Sequence, residues 1–332
     1  MTLRVVRDPH VAAQTLAAGG LLGLPTETVY GLAADARNET AIARVFTVKG
    51  RPNDHPLIVH IAEMAAVRDW AVEVSPAVWN LLTQHWPGPL TVVLRKRASV
   101  SDLITGGQST VAVRMPDSPA ALQTIAELGR LTGQRGAVVA PSANRFGAVS
   151  PTSAAHVQAG LGTYLNPEDA VLDAGMCRVG VESTIVDASA GTLRILRPGA
   201  VTVSEAGPLA MGLTATAVPR VPGSLASHYA PAARVVISSA ADIPGMAETP
   251  DGAVNSPDSN SRIGLIAPAD VPTPTGWHRL AAPLDDVEYA RHLYAALRAA
   301  DAGQVQWVYA VLPTAGAMLP AITDRLQRAA GR

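Results

Sequence analysis

A chain of 332 residues is long for one compact core and comfortable for two, so we expect two domains. Hydrophobic residues make up 48% and charged residues 16%, as in soluble globular proteins. The formal net charge of -1 argues against a tight nucleic-acid binder, because such proteins usually carry a basic surplus. The single cysteine, Cys177, excludes an intrachain disulfide and a multi-cysteine metal site, and it favours a reducing compartment.

The N-terminal stretch up to Pro25 has neither a signal-peptide pattern nor a membrane-span pattern. We therefore expect a cytoplasmic protein that does not contact a membrane. The only lysines among the 26 basic residues are Lys49 and Lys96.

The first two hundred residues alternate between helical and strand patterns with short connections, which predicts an α/β layer domain. Three pairs predict an N-cap followed by the first helical position: Asp8-Pro9, Ser75-Pro76 and Ser118-Pro119. Glycines predict that the first helix ends at 19–20 and the third at Gly129. Apolar runs predict strands at 21–24, 57–61, 90–94, 111–113, 137–140, 184–186 and 193–196.

Beyond residue 198 the sequence turns to Gly, Pro, Ala and Ser as far as 231, which predicts an interdomain connector. A second domain is expected from Arg234, with an exposed loop at 242–261. Its predicted strands are 235–238, 263–266 and 307–312, and its predicted helices are 286–300 and 319–329. The helical spacing of Leu293, Tyr294 and Leu297 predicts a stripe buried against a sheet.

The segment PTETVYGL (25–32) follows the predicted strand at 21–24 and carries three hydroxyls and a carboxylate. Such groups are costly to bury without hydrogen-bond partners, so a small polar ligand is one interpretation. A turn with ordinary capping residues is the other.

The segment KGRP contains Lys49 and Arg51, two residues apart. In extended backbone their side chains would face the same side and could together hold a polyphosphate. The alternative is a solvated surface loop.

Polar or cationic side chains follow three of the predicted strands. Ser142 and Asn144 follow the strand at 137–140, Arg114 follows 111–113, and Arg197 follows 193–196. Ligands of open α/β sheets collect at the carboxyl ends of strands, although Ser and Asn at such places also cap helices.

The sequence has no nucleophile constellation. Cys177 lacks a base at motif spacing, so a buried structural cysteine is expected. We find no Ser-His-Asp arrangement, HExxH helix, Walker A loop or GxGxxG fingerprint, and the spacing of the histidines predicts no metal site.

Eight strings occur in one order along nearly the whole chain. They are PTETVYGL, KGRP with PLIVH, WPGPLT, VAVRMP, PSAN followed by SPT, GVESTIVD, LRPG and SHYAP. In this order they resemble the YrdC-like family of L-threonylcarbamoyladenylate synthases, in the longer form that carries a second C-terminal domain. The stretches LDDVEYARHLYAALRAAD and ITDRLQRAAG resemble that second domain.

The resemblance implies an α/β fold: a YrdC-like twisted mixed sheet around a large concave, positively charged cavity, plus a smaller Rossmann-like parallel α/β domain. It implies a catalytic domain at 1–204, a linker or lid at 205–233 and a C-terminal domain at 234–332. Two departures from the family pattern are Ser118, where a histidine is expected, and the variable stretch 223–226 before SHYAP.

The resemblance also implies the site residues. Lys49 and Arg51 match the family's Lys-x-Arg pair, and Ser142 and Asn144 its Ser-x-Asn pair, implied to be catalytic and to hold the ATP phosphates with Mg²⁺. Further matched ATP positions are His55, Thr110, Ser150, Arg197 and, in the lid, Tyr229. The matched threonine positions are Thr28, His60, Arg114, Ala140 and Ser183.

The implied activity is the condensation of L-threonine, bicarbonate or CO2 and ATP to threonylcarbamoyl-AMP and pyrophosphate. The product would serve N6-threonylcarbamoyladenosine formation at position 37 of tRNAs that read codons beginning with A, through a tRNA-modifying threonylcarbamoyl transferase. No stable tRNA binding is expected. Two alternatives are an RNA-binding module and a carbamoyltransferase component of the same fold.

Overall fold

The computed structural model describes residues 3–204, 218–223, 229–243 and 263–331. The chain divides into two units. The first comprises Met1–Phe146, Ser150–Arg178 and Glu182–Ser224, and the second comprises Gly147–Val149, Val179–Val181 and Leu225–Arg332. Much of the predicted linker (205–217 and 224–228) and most of the predicted loop (244–261) lie outside the described residues.

A ten-stranded mixed sheet forms the centre of the first unit, in the order β1-β8-β2-β3-β7-β4-β6-β5-β9-β10. Its strands are β1 (Arg4–Val6), β2 (Leu22–Leu24), β3 (Gly31–Asp35), β4 (Ile58–Ile61), β5 (Leu90–Arg95), β6 (Thr110–Arg114), β7 (Ala137–Val139), β8 (Ala170–Leu172), β9 (Thr184–Asp187) and β10 (Arg194–Arg197). The sheet contains both parallel and antiparallel pairs, which confirms the predicted mixed sheet.

The described helices of this unit are α1 (Pro9–Ala17), α2 (Glu39–Lys49), α3 (Val67–Trp70), α4 (Pro76–His85), α5 (Asp102–Thr105), α6 (Pro119–Thr132) and α7 (Ala154–Leu161). The three predicted starts are confirmed, because Asp8, Ser75 and Ser118 each accept a backbone N–H as N-cap. The predicted end at Gly129 is wrong. Helix α6 runs to Thr132 and ends at the left-handed Gly133, with φ 71°.

Gly129 serves close packing instead of helix termination. A Cβ at this position would lie 2.5 Å from the backbone nitrogen of Gly136, so a side chain there would collide with the chain leading into β7. The sequence pattern alone does not separate these two uses of glycine.

Alternating residues of the sheet face different surroundings. Val59, Val92 and Val113 join the larger core with α2 and α4. The opposite face is covered by α1 and α6 at its β2, β3, β7 and β8 end. Farther along that face, a small apolar cluster holds Ile58, Val93, Ala112 and Ile185, with Val221 packed on it. The polar residues described below lie around this cluster.

The second unit carries a separate four-stranded sheet in the order β11-β14-β12-β13. Its elements are β11 (Arg234–Ser238), β12 (Ile263–Ile266), β13 (His278–Ala281), α8 (Asp286–Ala302), β14 (Trp307–Val311) and α9 (Leu319–Ala330). All three strand pairs are parallel, as predicted. Strand β13 was not predicted, because its sequence HRLA offers no apolar run, whereas the predicted buried stripe of α8 is confirmed.

Within the part of the chain that the structure describes, no helix is both long and apolar enough to cross a membrane.

Candidate active site

Three polar residues meet side by side on the less covered part of the sheet face. Arg114, the last residue of β6, is the register partner of His60 on β4 and of Thr91 on β5. Directly paired residues of neighbouring strands point to the same face. His60 and Arg114 each come two residues after a member of the apolar cluster, Ile58 and Ala112 respectively. Side chains two residues apart on a strand share a face, so the polar residues lie beside that cluster.

Arg114 forms a buried ion pair that the sequence analysis missed. Its Nη2 donates to Glu27 Oε1 at 2.6 Å, and its Nη1 donates to Thr28 Oγ1 at 2.9 Å. Only 4% of the Arg114 side chain and 1% of the Glu27 side chain are exposed. The Nε of Arg114 and the Oε2 of Glu27 are buried without a hydrogen bond. Arg114, a predicted threonine-binding residue, is therefore one half of an ion pair with no net charge.

The hydroxyls of the loop between β2 and β3 have hydrogen-bond partners within the protein. Thr26 Oγ1 donates to the carbonyl of Val29 at 2.6 Å and lies 2.9 Å from Thr28 Oγ1. The Tyr30 hydroxyl donates to the carbonyl of Gly175 at 2.7 Å, and burial raises its pKa. These hydroxyls thus have protein partners, which favours the turn interpretation for them. Glu27 keeps one carboxylate oxygen for another partner.

His60 is buried and neutral. Burial, and then the positive charge of Arg114, lower its pKa from 6.5 to about 3. One ring nitrogen, Nδ1, lies 3.1 Å from the carbonyl of Ile58. In the tautomer with the proton on Nδ1, the ring donates to this carbonyl and Nε2 is left as an acceptor.

We expect the ring nitrogens of His60 to stay neutral from about pH 8 to about pH 4. Because the folded-state pKa is lowered, the unfolded chain binds the proton first, so His60 reduces stability as pH falls from 6.5 toward about 3. Nitrogen-15 NMR of the histidine rings checks this, with His60→Gln to assign the signal. A His60 signal that titrates near pH 6.5 would contradict the burial argument.

Arg197, Ser183 and Thr91 form a second buried group next to Arg114. Arg197 donates twice to the Ser183 carbonyl, at 3.1 Å from Nε and 2.9 Å from Nη2. Its Nη2 also donates to Ser183 Oγ at 3.1 Å, and that oxygen lies 2.8 Å from Thr91 Oγ1. Arg197, a predicted ATP-binding residue at the end of β10, thus contacts Ser183, a predicted threonine-binding residue just before β9.

Lys49 lies at a helix end and not in extended backbone, so the predicted arrangement with Arg51 is wrong. It is the last residue of α2, and Gly50 follows in the left-handed region with φ 61°. Its Nζ donates to the carbonyls of Ser142 at 2.6 Å and Asn144 at 2.7 Å. Burial, and then the charges of Arg51 and Arg145, lower its pKa. The helix end brings Lys49 to the PSAN loop nonetheless.

Arg51 and His55 surround a phenylalanine that the sequence analysis did not select. The ring centroid of Phe146 lies 5.9 Å from the Arg51 guanidinium carbon and 5.3 Å from the His55 ring centroid. Arg51 Nη2 donates to the carbonyl of Pro56 at 2.9 Å. Burial, and then the charge of Arg51, lower the pKa of His55. Arg51 and His55, both predicted ATP residues, thus lie near the same phenylalanine ring.

Thr110 lies at the opposite end of β6 from Arg114. Four residues at about 3.3 Å each separate the two positions by roughly 13 Å. The register partner of Thr110 on β5 is Arg95. The predicted ATP residue Thr110 therefore lies one strand length away from Arg114.

Three other predicted residues have separate surroundings. Ala140 donates its N–H to the carbonyl of Ile58 at 3.2 Å, which places it beside His60. Ser150 is buried and donates to Glu182 Oε1 at 2.6 Å. Tyr229 belongs to the second unit, where its ring lies 5.6 Å from the ring of Tyr294 and 5.4 Å from the guanidinium carbon of Arg325.

A cavity of about 350 Å³ lies beside the ion pair of Glu27. Thr26 and Glu27 line one side, and Ser118 and Arg178 are among the residues that line the rest. Ser118, which departs from the family pattern, thus caps α6 and borders this cavity.

The predicted burial of Cys177 is confirmed, and burial raises the pKa of its thiol. Over the described ranges, no group of three or more His, Cys, Asp or Glu side chains could hold a metal ion.

Comparisons with known proteins match the chain along nearly its whole length. A family model for Sua5, YciO and YrdC, described as "Telomere recombination", matches residues 14–199. A second model, "Threonylcarbamoyl-AMP synthase, C-terminal domain", matches residues 193–331. The threonylcarbamoyl-AMP synthase of Pyrococcus abyssi is 34% identical over 97% of this chain and 94% of the relative. The chain belongs to the threonylcarbamoyl-AMP synthase family.

Other family members agree with this assignment. The threonylcarbamoyl-AMP synthase of Bacillus subtilis is 35% identical over 98% of this chain and 94% of its own. This chain matches the crystal structure of P. abyssi Sua5 complexed with L-threonine, with 33% sequence identity and a TM-score of 0.85. That match covers 100% of this chain and 98% of the P. abyssi chain. The threonylcarbamoyl-AMP synthase fold is therefore shared over both units.

Proposed function

We propose that the protein is a threonylcarbamoyl-AMP synthase, which condenses L-threonine, bicarbonate or CO2 and ATP to threonylcarbamoyl-AMP and pyrophosphate. The observation that carries the proposal is the match over 97% of the chain to a relative of that name. The grouping of buried cations and hydroxyls on one part of the sheet face supports it.

The Arg114–Glu27 pair suits an amino-acid substrate. The pair is neutral overall, and threonine carries both a carboxylate and an ammonium. Arg114 supplies a guanidinium for the carboxylate, and Glu27 keeps one oxygen that makes no hydrogen bond. Thr28, His60, Ala140 and Ser183 complete the proposed pocket. Polar partners for the threonine hydroxyl would reject valine, which leaves those partners unpaired.

The proposed phosphate site is the group around Lys49 and Arg51. Lys49 and Arg51 would neutralise the triphosphate, with Ser142 and Asn144 from the PSAN loop. The further proposed ATP contacts are His55, Thr110, Ser150, Arg197 and the lid residue Tyr229. The oxygen atoms of Ser142 and Asn144 are of the kind that Mg²⁺ prefers, and the ion would arrive with ATP.

The proposed reaction depends on positioning and charge. The threonine amine forms a carbamate, either with CO2 and loss of a proton or with bicarbonate and loss of water. A carbamate oxygen then attacks the α-phosphorus of ATP in line. The bond from the α-phosphorus to the bridging oxygen breaks, and pyrophosphate leaves with its electron pair. Fixed cations stabilise the charge that develops, so such a site needs no protein nucleophile.

The product would pass to a tRNA-modifying threonylcarbamoyl transferase in the cytoplasm, for modification of adenosine at position 37. No stable binding of tRNA to this chain is proposed.

We expect the purified protein to release pyrophosphate from ATP only when both L-threonine and bicarbonate are present. A coupled phosphate assay measures the release, and L-valine is the matched control because it has the same shape with a methyl group in place of the hydroxyl. Pyrophosphate release that does not depend on threonine would overturn the substrate assignment. Tight tRNA binding without ATP and threonine would favour an RNA-binding module. Carbamoyl transfer to an acceptor other than threonine would favour a carbamoyltransferase component.

A further inference from the structure

Helix α2 ends at Lys49, and the last four carbonyls of an α-helix have no partner within the helix. In α2, those of Phe46 and Thr47 accept the N–H groups of the two residues that follow the helix. Those of Val48 and Lys49 accept hydrogen bonds from residues 145 and 146. The chain that directly follows the PSAN loop therefore completes this helix end.

Arg145 provides one of these contacts through its side chain. Its Nη1 donates to the carbonyl of Val48 at 2.6 Å and to that of Thr47 at 3.5 Å. A cation at this place also interacts favourably with the negative end of the helix dipole. The N–H of Phe146 donates to the carbonyl of Lys49 at 2.8 Å. Two consecutive residues thus bind the last turn of α2.

Lys49 makes the contacts in the opposite direction. Its Nζ donates to the carbonyls of Ser142 and Asn144, and Asn144 Nδ2 donates to the carbonyl of Arg145 at 2.8 Å. The side chain of each segment therefore binds the backbone of the other. Functional groups need such support from neighbouring hydrogen bonds to keep a productive spacing.

The guanidinium of Arg145 lies over one aromatic ring and against one glycine. Its carbon is 4.4 Å from the ring centroid of Tyr164, which is half exposed. A Cβ at Gly50 would lie only 2.6 Å from Arg145 Nη2. Gly50 therefore leaves space for the guanidinium, in addition to forming the left-handed end of α2.

Arg145 also adds a third positive charge beside Lys49 and Arg51. Burial, and then the charges of Arg51 and Arg145, lower the pKa of Lys49. Like charges that lie close together raise the free energy of the folded chain, whereas a polyanion that binds among them lowers it. The added charge thus suits a segment that supports a phosphate site.

We propose that Arg145 is a positioning residue for the phosphate site: it holds the end of α2 to the PSAN loop and so keeps the two halves of the site at one spacing. The proposal rests on the function proposed above. Arg145 acts through Lys49 and the PSAN loop, and it is assigned no contact with ATP.

Arg145→Met removes the guanidinium and keeps an unbranched side chain. We expect the KM for ATP to rise at least about fivefold, because the cations and the PSAN loop no longer keep one spacing. The KM for threonine should stay within about twofold, since the proposed threonine pocket is built around Arg114. A purely structural role would lower the amount of active enzyme and change neither KM. An unchanged KM for ATP, or equal rises in both KM values, would overturn the proposal.

Hydrogen exchange measures the contact itself without any substrate. The Phe146 amide, which donates to the carbonyl of Lys49, is expected to exchange at least about fivefold faster in Arg145→Met. Faster exchange with an unchanged KM for ATP would show that the contact does not serve the site, and unchanged exchange would show that Arg145 does not hold the two segments together. Either result would overturn the proposal.

Calorimetric titration with ATP separates this proposal from the proposed reaction. If the wild-type protein released no pyrophosphate with threonine and bicarbonate, the proposed reaction would fail by itself. ATP affinity would still decide the role of Arg145: binding at least about fivefold weaker in Arg145→Met would support it. Equal affinities, or no ATP binding by the wild-type protein, would overturn it.

Two further variants serve as controls. Arg145→Lys keeps the positive charge but loses the planar group over Tyr164, so its KM for ATP should rise at least about twofold and less than in Arg145→Met. If Arg145→Met does not fold, a wild-type KM for ATP in Arg145→Lys would overturn the proposal. Arg68→Met is the matched control, because the exposed Arg68 lies over the ring of Trp79 outside the proposed site. It should leave both KM values within about twofold, and a rise in the KM for ATP equal to that of Arg145→Met would mean that only net charge matters.

Discussion

Replacing Lys49 with alanine is expected to lower threonine-dependent pyrophosphate release at least about tenfold, a loss of about 1.4 kcal/mol or more of transition-state stabilisation. Lys49 is buried and binds the carbonyls of Ser142 and Asn144, so it holds the PSAN loop as well as carrying charge. Arg51→Ala is expected to have an effect of the same order. The steady-state rate at saturating ATP and threonine measures both.

The chain offers a matched control in its other lysine. Lys96 pairs with the exposed Asp102, lies outside the proposed site and should keep its rate within about twofold when replaced by alanine. Thermal unfolding of each variant separates loss of activity from loss of folding. Wild-type rates in both Lys49→Ala and Arg51→Ala would remove the phosphate assignment.

Glu27→Gln is expected to destabilise the first unit by about 3–5 kcal/mol. The substitution keeps the size of the side chain but removes the charge that compensates Arg114, whose side chain is 4% exposed. An uncompensated charge in a poorly solvated site is costly, whereas the intact pair need not be strongly stabilising. Hydrogen exchange of β4 and β6 amides in urea measures this unit separately from the second.

Glu73→Gln is the control with the same chemistry at the surface. Glu73 pairs with Arg95 at 2.5 Å, but their side chains are 64% and 59% exposed. Water screens this pair, so its loss should cost at most about 1 kcal/mol. Equal losses in Glu27→Gln and Glu73→Gln would show that burial does not govern the Arg114 pair.

The Glu27 pair also bears on substrate binding. Glu27 holds the guanidinium of Arg114 in one orientation, and Thr28 holds it from the other terminal nitrogen. Loss of this fixation in Glu27→Gln should raise the KM for threonine as well as lower stability. Glu27 therefore acts as a positioning residue for Arg114 in the proposed site.

Local sequence chemistry determined a large part of this protein. The capping pairs at Asp8, Ser75 and Ser118 start helices where predicted, because a side-chain acceptor followed by proline fixes a helix start within a few residues. Apolar runs located most strands to within one or two residues. The order of eight short strings identified the family, since each string serves a backbone turn or a side chain at a fixed place in the chain.

The tertiary structure alone decided which polar groups of the site contact each other. Arg114 and Glu27 are 87 residues apart, and Lys49 and Ser142 are 93 apart, so no spacing rule joins them. Phe146 was missed for the same reason. The sequence named most of the polar groups of the site, but their partners follow from sheet register and helix ends, which bring distant residues within hydrogen-bond distance only when the chain has folded.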